Sequence, residues 1–148
     1  MSIPDPQAQI TLGRLLRQPY EALARRIYGR MAEEGFPEIR PAHSGLLRNI
    51  GDGGARVADL AALAGITKQS MAYLSESLQG AGYVTVTPDP GDRRAKLVVL
   101  TERGRAAVAT LTRLSLEAEA ELAGHMGAEK VARLRGLLEE AAGALSEG

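Results

Sequence analysis

Between Pro88 and Lys96 the chain reads PDPGDRRAK, which packs two acids (Asp89 and Asp92) and three bases (Arg93, Arg94 and Lys96) into nine residues. A solvated turn needs Pro and Gly but no such cluster. Cationic side chains on a turn between two apolar runs suit contact with a polyanion. Arginine in particular can enter the narrow, strongly negative minor groove of A/T-rich DNA. Asp92 is read as a local partner that orients a guanidinium through charge-assisted hydrogen bonds. Arg93, Arg94 and Lys96 are then left to touch DNA. A second group lies upstream in TKQSMAY: Thr67, Lys68, Gln69, Ser70 and Tyr73. Glutamine can pair bidentately with adenine, and lysine can reach guanine or a phosphate. The bland reading of the tip is an edge hairpin whose charges resist aggregation, and the elements around it weaken that reading.

Those elements follow from periodicity. ARVADLAALAGITKQSMAYLSESLQGAG predicts two short helices, about 57–64 and 68–80, separated by Gly65-Ile66-Thr67. Gly65 can end the first helix in the left-handed conformation, and the Thr67 hydroxyl can cap the second. Met71, Leu74 and Leu78 mark the buried face of the second helix, which puts Gln69, Tyr73 and Glu76 on the opposite side. YVTVTP and AKLVVL then alternate as the two strands of a hairpin. A tight two-helix turn is the usual scaffold for placing a helix in the major groove. A hairpin directly after it is a wing.

The flanks are helical. Leu12, Leu15, Leu16, Leu23, Ile27 and Met31 predict a helix over about 7–34, with a bend or a fresh start at Pro19. A further helix is expected over about 42–50, ended by GDGG at 51–54. Thr101 caps a long helix to Met126, and Val131, Leu134, Leu138, Ala141 and Leu145 form a heptad-like seam over 128–145. The fold class expected is mainly α: a winged helix-turn-helix with a two-stranded wing hairpin and long N- and C-terminal dimerisation helices. One domain is expected over 1–148, with dimerisation helices at about 7–40 and 104–146 and a DNA-binding lobe at about 42–103.

The totals set limits. Net charge is zero over 148 residues, split as +1 over residues 1–53, +2 over 54–105 and −3 over 106–148. Nucleic-acid contact must therefore come from placement rather than basic excess. The absence of cysteine removes disulfides, thiolate metal sites and thiol redox switching. No membrane span or signal peptide is legible, so a soluble, cytoplasmic protein is expected. His43 and His125 stand far apart, with no HExxH and no triad. GDGG lacks the Lys-Ser/Thr of a phosphate loop, and Glu117, Glu119 and Glu121 point different ways around a helix. No catalytic residue, metal or cofactor is expected.

Residues 60–104, LAALAGITKQSMAYLSESLQGAGYVTVTPDPGDRRAKLVVLTERG, resemble MarR-family winged-helix transcriptional regulators. The helix-turn-helix, the GY strand start, the DPxDRR wing and the LTxxG exit occur in the family's order and spacing. The resemblance implies a homodimer with interlocked terminal helices that binds double-stranded DNA at a palindromic site, most often as a repressor. It also implies that Asp92 and Arg94 are the wing's signature acid and base. Many members bind small aromatic effectors near the first helix, which makes Tyr28 and His43 candidate ligand residues. The competing reading is a winged-helix dimer that serves as a protein-interaction scaffold without DNA binding.

Overall fold

The computed structural model describes Ile3 and residues 10–147. Its described residues fall into two compact units, Met1–Thr112 and Arg113–Gly148. Helix α1 (Leu12–Met31) begins at Thr11, whose side chain accepts the Arg14 N–H at 3.3 Å. The helix thus starts later than the expected residue 7, and residues 7–9 lie outside the described residues. Pro19 sits inside α1, so of the expected bend or fresh start the fresh start does not occur. A proline there costs one backbone hydrogen bond. The helix is nonetheless continuous, with Ala24, Ile27 and Met31 buried on its C-terminal half.

A 3-10 turn, Pro41–His43, leads into α2 (Ser44–Asn49). The expected single helix is therefore a tight turn followed by a short helix. Strand β1 (Ala55–Arg56) comes next and was not legible in the sequence; two residues carry no periodicity. It pairs antiparallel with β3 (Asp92–Leu100), which also pairs with β2 (Val84–Asp89), giving the order β1-β3-β2. The wing thus belongs to a three-stranded sheet. Pro88 is tolerated because β2 is an edge strand, where a missing N–H breaks no central ladder.

Helices α3 (Val57–Ala64) and α4 (Lys68–Gly80) occupy the expected spans. Gly65 is left-handed (φ 70°). Its N–H donates to the Ala62 carbonyl at 3.3 Å and the Ile66 N–H to Ala61 at 3.1 Å, closing the α3 terminus in a Schellman arrangement. Ile66, between the two helices, is 39% exposed. The buried line of α4 runs Met71–Ser75–Leu78, with Leu74 half-buried. Serine is accepted there because its hydroxyl donates to the Met71 carbonyl at 2.8 Å, so no polar atom is left without a partner. Leu46, Leu60, Met71, Leu78, Tyr83, Val84 and Val98 are fully buried and form the centre of the lobe.

Two further ties hold the lobe. The Gln79 side-chain carbonyl accepts the Val86 N–H at 3.1 Å, fastening the last turn of α4 to β2. The Tyr83 hydroxyl donates to Glu38 at 2.5 Å, and Arg103 donates to that hydroxyl at 3.0 Å and to the Ala81 carbonyl at 2.7 Å. The Arg103 guanidinium lies 4.4 Å from the Tyr83 ring centroid, a cation–π contact. Burial and the adjacent Glu38 carboxylate push the Tyr83 hydroxyl up to about 12.

Helix α5 (Glu102–Met126) is capped as expected by Thr101, whose hydroxyl accepts the Gly104 N–H at 3.1 Å and donates to the Gly82 carbonyl at 2.6 Å. Gly127 (φ 99°) separates it from α6 (Ala128–Ser146). Within the second unit an Arg135–Glu119 ion pair links the two helices, and Leu114, Ala118 and Val131 are buried. Leu134, Leu138 and Leu145 of the α6 seam remain exposed. Among the described residues no helix is long and apolar enough to cross a membrane.

Candidate nucleic-acid interface

The first turn of α4 places its polar residues outward. Thr67, Lys68, Gln69, Ser70 and Tyr73 are all exposed, Tyr73 at 73%. The exposure follows from the buried line on the opposite side of the helix. Thr67 accepts the Ser70 N–H at 3.1 Å, and its hydroxyl also donates to the Ser70 hydroxyl at 2.9 Å. These two hydroxyls are thereby fixed at the tip of the helix. The remaining backbone N–H groups of the first turn give this end partial positive character suited to phosphate.

The wing has an irregular tip. Pro88 pairs with Lys96, but the next ladder pair is Asp89 with Asp92. Arg93, Arg94 and Ala95 therefore have no partner on β2. Such a bulge bends the strand and re-aims its side chains. Both arginines, Asp92 and Lys96 are exposed.

Asp92 does not take the expected role. Its carboxylate accepts the backbone N–H of Arg94 at 3.0 Å, a local turn bond. The acid that engages a guanidinium is Asp89, which accepts from Arg56 Nε at 2.5 Å and from the Gly91 N–H at 2.8 Å. Those two donors, the Gly91 amide first, hold the Asp89 carboxyl below the usual carboxylate range. Arg56 lies 33 residues from Asp89, so no local pattern could have revealed the pair.

The two candidate ligand residues lie beside α2. His43 is buried, and its Nδ1 accepts the Arg40 N–H at 3.0 Å. Tyr28 is half-buried and hydrogen-bonds Ser44, the residue after His43; burial, then Tyr20, raises its hydroxyl above the usual tyrosine range. Tyr20 itself is exposed. Among the described residues no group of three or more His, Asp or Glu side chains could hold a metal ion.

Burial, then Arg40, lowers the His43 pKa from 6.5. Protonation also removes the lone pair that accepts from Arg40. A depressed folded pKa means that the contribution to stability is complete above pH 6.5 and is lost as pH falls through the folded value. The urea midpoint is expected to drop as the pH is taken below 6.5, and the drop is expected to flatten in a His43→Gln variant.

Two helices crossing at a Schellman turn, followed by a sheet whose hairpin ends in a charged bulge, define a winged helix-turn-helix. Residues 39–95 match the model of the MarR family, to whose winged helix the lobe is similar. MarR-family proteins are transcription regulators, not enzymes.

The same architecture recurs in solved structures. Transcriptional regulator Tm0710 from Thermotoga maritima is 27% identical, with a TM-score of 0.60 over 91% of this chain and 94% of its own. The transcriptional repressor CouR, bound to a 23-mer DNA duplex, is 23% identical, with a TM-score of 0.75 over 96% of this chain and 99% of its own. A mutant MarR from E. coli complexed with operator DNA is 24% identical, with a TM-score of 0.75 over 95% and 99%. A comparison with curated proteins found no match. The resemblance read from residues 60–104 is thus borne out.

Proposed function

We propose that the chain is a sequence-specific, double-stranded-DNA-binding transcriptional regulator that acts as a homodimer on a palindromic operator. The observation that carries this reading is the pairing of an exposed polar first turn on α4 with two unpartnered arginines on the bulged wing tip. Gln69 and Lys68 meet base edges in the major groove, with Thr67, Ser70 and Tyr73 beside them. Arg93 or Arg94 enters the adjacent minor groove, and Lys96 holds phosphate. CouR and MarR, which share the fold, are each seen on DNA.

Exposed apolar residues on the terminal helices support the dimer: Leu15 and Leu16 on α1, and Leu134, Leu138 and Leu145 on α6. Two-fold pairing sets two recognition helices about 34–36 Å apart, one turn of DNA, which is why the operator is a palindrome. The regulator represses by occupying that site. A small aromatic effector bound near Tyr28 and His43 releases it.

A mobility-shift titration on the DNA flanking the chain's own gene tests the reading. Affinity is expected to fall steeply and linearly in log K against log salt. A protein that ignores such fragments at low salt, or that runs as a monomer, overturns it. Gln69→Ala is expected to cost about 1–3 kcal/mol on the preferred operator with little change on unrelated DNA, because base pairing and not phosphate attraction is lost. Competition with singly substituted operators reads that difference directly.

A further inference from the structure

Asp89 and Asp92 face each other as the last partners of the β2–β3 ladder, on either side of the Pro90–Gly91 turn. Like charges directly opposite on a sheet repel, and acids beside a phosphate-binding tip weaken its attraction for DNA. Each carboxylate is instead taken up within the protein. Asp92 accepts the Arg94 N–H, whereas Asp89 accepts both the Gly91 N–H and Arg56 Nε. The side chain of Asp89 is only 13% exposed, and that of Arg56 is 46% exposed. Arg56 is the last residue of β1 and the N-cap of α3, and its backbone pairs with Leu97 of β3. The bond therefore ties the end of the wing to the start of the helix-turn-helix.

We infer that Asp89 is a positioning residue for DNA recognition: by gripping Arg56 it fastens the bulged tip to the root of α3 and so aims Arg93 and Arg94. The inference rests on the DNA-binding reading above. Without the tie, the tip is held by the two-residue turn and by local backbone bonds alone. Where Arg56 is the partner lost, two opposed carboxylates also push it open. With the tie, the tip and the helix-turn-helix present themselves to a duplex as one body, and less ordering is left to be done on binding.

The sign of one substitution separates this role from simple electrostatics. Asp89→Asn keeps the size of the side chain and the oxygen that accepts from Gly91, and removes one negative charge. If Asp89 were only a surface acid, its loss would strengthen DNA binding by reducing repulsion. A positioning role gives the opposite: affinity about tenfold lower, with the log K against log salt slope shallower by about one phosphate contact. Arg56→Gln is less decisive alone, because an exposed arginine can touch phosphate. The double variant Arg56→Gln/Asp89→Asn supplies the control, expected to bind no more weakly than Arg56→Gln alone.

Amide hydrogen exchange at residues 91–95 in the full-length protein without DNA is the second readout, and it is expected to accelerate in Asp89→Asn. Unchanged exchange, or DNA binding as tight as wild type or tighter, overturns the inference. Accelerated exchange in a protein whose wild type binds no DNA would instead sink the DNA reading and leave the tie standing.

Discussion

Arg94→Ala is expected to weaken operator binding ~30-fold, about 2 kcal/mol, and to make the log K against log salt slope shallower by about one. Three observations set that size. Arg94 is exposed, it has no ladder partner on β2, and its backbone is pinned by Asp92, so the guanidinium leaves the hairpin from a fixed point. A guanidinium entering a narrow minor groove gains from the focused negative potential there. Lysine, a compact and strongly hydrated charge, recovers only part of that gain. Fluorescence anisotropy on one operator at several salt concentrations checks both numbers. Full affinity retained in Arg94→Ala would place the wing outside the interface.

Gly104→Ala carries the largest expected effect on stability, about 3 kcal/mol. A Cβ at Gly104 would stand 2.0 Å from the Tyr83 carbonyl oxygen and 3.0 Å from Leu100 Cδ2. That carbonyl accepts the Thr101 N–H at 3.0 Å, so backbone rather than a flexible side chain would have to move. The displaced segment also carries the fully buried Tyr83 and its bonds to Glu38 and Arg103. The urea midpoint is expected to fall with an unchanged denaturant slope. The final glycine of the LTxxG stretch is thus a matter of space. An alanine variant as stable as wild type would contradict this packing.

What was legible in the sequence was local. Helix α3 ends and α4 begins where expected because Gly65 and Thr67 act on their own neighbours through backbone conformation and a side-chain cap. Thr101 marks the start of α5 for the same reason. The outward residues of α4 follow from its period, even though the buried line passes through Ser75 rather than Leu74. What escaped depends on partners distant in sequence. Asp92 was read as the acid that steers a guanidinium, but Arg56 approaches Asp89 from the far side of the helix-turn-helix. Strand β1 exists because β3 offers it an edge. Glu38, Tyr83 and Arg103 are separated by 45 and 20 positions, and nothing short of the folded chain brings them together. Pro19 shows the converse, a strong local signal overridden by the continuous helix around it.

The bond from Gln79 to the Val86 N–H has a consequence for how the protein behaves in bulk. Val86 lies on the outermost strand of the sheet, the kind of free border onto which a neighbouring chain can add a strand of its own. A side chain from α4 already occupies that donor, and Pro88 offers none two residues on. A strand adding itself at this border would find neither donor free, so this stretch of β2 is a poor template for growth.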